Sequence, residues 1–357
     1  MKSSKSGKLV LLGLAVVLTL AFASTASAQP GEFVNGVLQP LRDGFPNRPI
    51  MTMVIDEPGS GDSIYVTQLL EAARKLSPVT LTMEHRKDFS TFGTWEAVAW
   101  INDQGSLGKD GYINYSFTLP GNAIDLLAVD MKTEAGVDME DFNPLISSEE
   151  NLYFWTQRAN APWGDTMQQF LDYAKKNPNT VRYISGGPGS GQDAAVRWYM
   201  KNFGFTLKEI IGGGSTQRAL MVAAGEGDVT LSRADLILPH FQSGKVKVLM
   251  VSGSIPSPPP WESAPTSMSL GLKEDPFSHH RGIATSAQAP ESHRAWLQRL
   301  FSAAARDEEF IAKRKRIPGL VPIMLYKDAI LKIAKDAMDF TIPIYKEQGI
   351  YWPDKKK

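Results

Sequence analysis

Cysteine is absent from all 357 residues. That excludes disulfides, thiolate metal sites, a cysteine nucleophile and a lipid-modified cysteine at a processing site. Histidine is scarce, with five in the chain: His85, His240, His279, His280 and His293. They form neither H-x-x-x-H nor H-E-x-x-H, so no metal site is expected, and the adjacent pair His279-His280 reads as a surface feature. No G-x-S-x-G elbow occurs. Basic and acidic residues balance at 38 each, which leaves no basic surplus for binding nucleic acid. No internal repeat or heptad pattern is present.

Long apolar runs are also missing, with one exception near the N-terminus. Leu9 to Phe22 is uncharged and apolar, follows Lys2, Lys5 and Lys8, and precedes Ala26-Ser27-Ala28. That is the layout of a secretory signal peptide over residues 1–28, cut before Gln29. The run is shorter than the ~20 residues of a membrane span. An exported chain without disulfides fits a bacterial periplasm. Losing three lysines leaves the remainder slightly acidic, and long enough for two domains.

What is there reads as alternating strands and helices. "IMTMVI" (50–55), "VTLTM" (79–83), "YINYSFT" (112–118), "DVTLS" (228–232) and "VKVLMVSG" (246–253) are strand candidates. "GDTMQQFLDYAKKNP" is a helix with a polar start and a proline stop. Two amphipathic helices are expected near Glu291–Arg306 and Lys327–Tyr345. "SIPSPPPWESAP" (254–265) is too rich in proline for helix or central strand, and reads as a crossing or surface loop.

Three glycine-rich turns sit between an apolar run and a helix: "EPGSGDS" (57–63), "SGGPGSGQD" (185–193) and "GGGSTQ" (212–217). Glycine admits close backbone approach, and a helix start offers free N–H groups and partial positive charge, so each turn is either an anion cradle or an ordinary tight connection. No Walker lysine follows the second turn, and a carboxylate suits such donors as well as a phosphate. Arg233, at the end of "DVTLS", either points into a cleft to pair with a carboxylate or lies in solvent. Asp193 reads as a first-turn residue rather than a base.

The order of several short motifs is specific. "FPNRPIMTMVI" (45–55) leads to a P-G-x-G turn, "DGY" (110–112), "DFNPLI" (141–146) and "FLDYAKKNPNTVRYISGG" (170–187). "GGGSTQRALMVAAGEGDV" (212–229), "LPHFQSGKVKVLMVSG" (238–253), "IATSAQAPE" (283–291) and "KEQGI" (346–350) follow. This order resembles the substrate-binding proteins of tripartite tricarboxylate transporters, the Bug receptors, over nearly the whole chain after the leader. The resemblance implies an α/β chain with a two-lobed type II periplasmic binding fold. Each lobe is a mixed, mainly parallel sheet flanked by helices, joined by a hinge of two crossing segments. Residues 45–150 and 255–357 would form the first lobe and 151–254 the second.

It also implies a non-enzymatic receptor without cofactor or metal, acting as a monomer. Such a receptor takes a di- or tricarboxylate, or an aromatic carboxylate, between its lobes and delivers it to membrane transporter subunits. The ligand positions carried over are Pro58, Gly59, Ser60, Gly61, Asp62, Ser116, Thr118, Gly186, Gly187, Gly189, Ser190, Gln192, Gly213, Gly214, Ser215 and Thr216. Ser232 and Arg233 stand where the family commonly has an aspartate and its neighbour, and join the set. "KDFSTFGTW" (87–95) departs from the family's glycine-rich turn, so Phe89, Phe92 and Trp95 either line a pocket for a bulkier acid or pack as core. The rival readings are a receptor that signals to a membrane sensor, a protein with a degenerate cleft, and a secreted hydrolase or lyase using Asp193 or Asp62 as base. The last lacks a paired nucleophile.

Overall fold

The computed structural model describes residues 30–86 and 92–356. The leader read at 1–28, and Phe89, lie outside the described residues. A two-strand ribbon comes first, β1 (Phe33–Val34) with β2 (Val37–Leu38). The chain then alternates: β3 (Ile50–Val54), α1 (Gly61–Arg74), β4 (Leu81–His85), α2 (Gly93–Asp103), β5 (Ile113–Leu119), α3 (Gly121–Ala128) and α4 (Met131–Ala135). Two consecutive strands follow, β6 (Phe142–Asn151) and β7 (Tyr153–Arg158). Alternation resumes with α5 (Met167–Lys176), β8 (Arg182–Ser185), α6 (Gly191–Phe203), β9 (Lys208–Ile211), α7 (Ser215–Ala224), β10 (Val229–Arg233), α8 (Ala234–Gln242) and β11 (Val246–Val251). The last part holds β12 (His279–Ser286), α9 (Glu291–Ala304), α10 (Glu308–Lys315), β13 (Leu320–Leu325) and α11 (Lys327–Glu347).

The strands form two large sheets, in the orders β13-β6-β12-β5-β3-β4 and β11-β7-β10-β8-β9, each flanked by helices. This is the expected two-lobed α/β architecture. The balance of pairing differs from the expectation of mainly parallel sheets. Four pairings are parallel, β3 with β4 and β5, and β8 with β9 and β10; the other five are antiparallel. The antiparallel pairs all involve β6, β7 or β12, the strands next to the crossings. Only Leu152 separates β6 in one sheet from β7 in the other. The chain returns between Val251 and His279 through the proline-rich stretch, which is thus the crossing. Trp261 anchors it, 4.7 Å from the ring of Phe154.

Burial explains why β6 and β12 are strands despite polar sequence. All eight residues of β12 are buried. Glu149 in β6 is fully buried between Arg281 of β12 and Arg314 of α10, with Arg314 Nε at 2.7 Å. Buried charges persist only when paired in this way. His279 and His280, expected on the surface, are 7% and 6% exposed because they open this central strand. Period-2 alternation sends them to opposite faces.

The second lobe is organised around Trp155, fully buried, with Phe170, Tyr199 and Phe205 at 5.2, 6.1 and 5.9 Å between ring centroids. Helix α11 spans both lobes. Ile330 and Ala334 pack in a core of the first, and Ile344 and Tyr345 in that of the second. Among the described residues, no helix is long and apolar enough to cross a membrane.

Candidate functional site

The strands β3, β5, β8 and β9 each feed a helix, and the four turns open onto one cavity of about 640 Å³ between the lobes. Ligands of open α/β sheets bind at this carboxyl-end position. Residues 56–62 with Thr118, Gly121, Asn122 and Asp125 line it from the first lobe, and residues 189–192 and 214–217 from the second; Tyr153, Arg233 and His279 complete the wall. Two of the four helix starts, those of α1 and α6, are fixed by serine caps. Ser60 Oγ accepts from the Ser63 amide and Ser190 Oγ from the Asp193 amide, both at 3.1 Å, while Asn122 Oδ1 accepts from the Thr118 amide at 2.7 Å. Gly189, at φ +103°, needs glycine, and its amide donates to the Tyr345 hydroxyl at 2.9 Å. Gly191 faces Gly121 across the lobes: a Cβ there would lie 3.1 Å from the Gly121 nitrogen.

The charge is divided. Arg233, 8% exposed, donates through Nε to Asp235 at 3.3 Å, and Asp235 stands 4.0 Å from Arg281 Nη2. Arg281 also holds Asp62 and Glu149. An ion network therefore joins β10 and α8 of the second lobe to α1, β6 and β12 of the first. Asp56 and Asp125 have no ion-pair partner among the described residues. Burial raises both carboxyls above the usual range, Asp125 well above, and Asp62 adds to the rise of Asp56. Burial pushes the Tyr153 hydroxyl up to about 12. It also holds His279 well below its ordinary value, helped by Arg233 and Arg281, so the imidazole is neutral; its Nε2 has no partner among the described residues. Among the described residues no cluster of metal-ligating side chains exists.

The cavity brings together Pro58, Gly59, Ser60, Gly61, Asp62, Thr118, Gly189, Ser190, Gln192, Gly214, Ser215, Thr216 and Arg233. Five anticipated positions do not line it. Ser116 lines a smaller adjoining cavity with Asp62 and Thr118. Ser232 is buried inside β10, one residue out of phase with Arg233. Gly186 lies under the side chain of Arg218, Gly187 faces Ile211, and Gly213 faces open space. Asp193 is fully buried, bonded to Ser185 Oγ at 3.0 Å and Arg197 Nε at 2.6 Å. Burial pushes its carboxyl up to about 6; it braces α6 and faces no guest. Trp95 is core, its Nε1 bonded to the Asn122 carbonyl at 2.7 Å. Phe92 is half-buried against the same core, with a ring edge near Gly189.

Asp125, Tyr153 and His279 were not foreseen. "TLPGN" (118–122) repeats the strand–glycine–helix pattern and was the available signal for Asp125. Tyr153 and His279 open the crossing strands, and no local pattern marks them.

Residues 126–307 match the sequence model of the family described as the TctC tripartite tricarboxylate transporter family receptor. No protein of the curated set matches the chain. Solved structures share its fold. The periplasmic binding protein BugD is 19% identical, covers 86% of this chain and 99% of its own, and superposes with TM-score 0.70. An R. palustris protein with adipate is 17% identical over 85% and 98%, TM-score 0.72. MatC from Rhodopseudomonas palustris with bound malate is 16% identical over 84% and 99%, TM-score 0.67.

Proposed function

The chain belongs to the tripartite tricarboxylate transporter receptor family, and from that premise we propose that it is a periplasmic receptor for a small organic carboxylate, delivered to a tripartite tricarboxylate-type membrane transporter. It is exported by the N-terminal leader and acts as a monomer. One observation carries the reading: helix starts from both lobes converge on a single cavity, with Arg233 in its wall. Amide N–H groups at four helix starts, the Thr118 and Ser215 hydroxyls and the Arg233 guanidinium are donors, which is what a carboxylate requires. Malate and adipate, found in two proteins of this fold, are the first acids to try. Trp95 lies in the core rather than in the cavity, which favours an aliphatic acid over an aromatic one.

Contacts from both lobes would couple binding to closure of the lobes. A ligand shifts the open–closed equilibrium only through contacts made in the closed form. Purified protein lacking residues 1–28, screened by thermal shift against C4 to C6 dicarboxylates and aromatic carboxylates, should be stabilised by at least one. Ligand at a hundred times its Kd adds about 2.7 kcal/mol. If no organic acid raises the Tm, the receptor reading fails.

A further inference from the structure

Arg218 is not in the lining of the interlobe cavity, yet its surroundings are those of a charge awaiting a partner. It lies in the first turn of α7, its amide bonded to the Gly214 carbonyl at 3.1 Å, and its side chain is 4% exposed. The other deeply buried arginines have carboxylates: Arg281 has Asp62 and Glu149, Arg314 has Glu149, and Arg233 has Asp235. Arg218 has none within ion-pair distance among the described residues, and its Nε and Nη1 have no hydrogen-bond partner. Burial and the neighbouring Arg233 both oppose its charge, which lowers its pKa. The start of α7 opposes it too, because the positive end of a helix macrodipole disfavours a cation.

The one hydrogen bond Arg218 makes points to its use. Nη2 donates to Ser215 Oγ at 2.7 Å, and Gln192 Nε2 donates to the same oxygen at 3.2 Å. Two donors occupy both lone pairs of that hydroxyl, so its proton turns away from them. Ser215 lines the cavity. Gly186 also finds its reason here: a Cβ at 186 would lie 2.3 Å from Arg218 Nη1.

We propose that Arg218 is the hidden counter-ion of the bound carboxylate, acting as a positioning residue that polarises Ser215 from behind the start of α7. The anionic head of the ligand then belongs to the second lobe. Asp56 and Asp125, both without ion pairs among the described residues, line the cavity from the first lobe, opposite that head. The inference rests on the receptor reading above and specifies which lobe holds the charge.

The test uses the carboxylate that most stabilises the wild-type protein, with calorimetric Kd and ligand-free Tm measured for Arg218→Met, Arg218→Gln and Ser215→Ala. Removing an uncompensated buried charge leaves the ligand-free Tm unchanged or raised, whereas affinity falls on the order of tenfold to a hundredfold. Once Ser215→Ala is present, adding Arg218→Gln should weaken binding much less than it does alone, because the two act in series. A structural arginine would do the reverse, lowering the ligand-free Tm and sparing Kd, and that result overturns the proposal. Should Arg218→Met not fold, Arg218→Gln carries the same prediction. Unchanged affinity in Ser215→Ala overturns it as well. If the wild-type protein binds no organic acid, the receptor reading itself has failed, and the proposal falls with it.

Discussion

Gly61→Ala sets two forces against each other, and the structure decides between them. Gly61 is the first residue of α1, and its backbone is not left-handed. By helix propensity alone, alanine should stabilise it by up to about 1 kcal/mol. The new methyl, however, would lie 2.5 Å from Arg281 Nη2, 3.0 Å from Asp235 Oδ2 and 3.1 Å from Arg233 Nη2. Ordinary contact needs roughly 3.5 Å or more, so Arg281 must retreat by about 1 Å. It cannot swing freely, because it is 1% exposed and held by Asp62 and Glu149. Overpacking of this kind costs about 1–3 kcal/mol, and parting a buried ion pair about 3–5 kcal/mol. The net expectation is a loss of about 2 kcal/mol, seen in a chain of this length as a Tm lower by about 3 °C. Carboxylate affinity should fall too, since Arg233 is displaced with the network. Differential scanning calorimetry and titration on the same sample read both quantities. A Tm equal to or above wild type would refute the packing argument and show that the ion network has room at Gly61.

Two further outcomes follow from the same structure. Trp155→Ala should cost about 3–5 kcal/mol in urea unfolding, because Phe170, Tyr199 and Phe205 cannot collapse into the space left; a loss under about 1 kcal/mol would contradict a packed core there. Asp125→Asn should match wild type at low pH and become relatively more stable as pH rises. The raised folded pKa of Asp125 means its protonated form is favoured on folding. That contribution is fully present below the unfolded value of 3.8 and is lost as pH climbs through the folded value. A stability difference independent of pH between 4 and 8 would count against a buried, unpaired carboxyl.

Strands with apolar sequence and a helix behind them were legible: β3, β5, β10 and β11 lie within a few residues of where the pattern put them, as do α5, α9 and α11. The turns lining the cavity were legible for the same reason, since glycine at a strand-to-helix junction has a local signature. The crossing strands were not. β6 carries Pro144, Ser147, Ser148 and Glu149, and β12 opens with His279-His280-Arg281. Hydropathy calls such stretches surface, and proline argues against a central strand. They are buried because Arg281 and Arg314 pair with Glu149 and Asp62 across residues more than a hundred positions apart, a relation that no window along the sequence contains. Arg218 escaped for a related reason, because its meaning lies in the absence of a partner in three dimensions.

The hydroxyl of Tyr345, accepting from the Gly189 amide, ties α11 to the rim of the interlobe cavity. A chain ending before that tyrosine would keep every strand of both sheets and still lose the prop beneath its second glycine turn. Tags and fusions placed directly after α11 therefore sit close to the mouth of that cavity, although their attachment point is remote from it along the sequence.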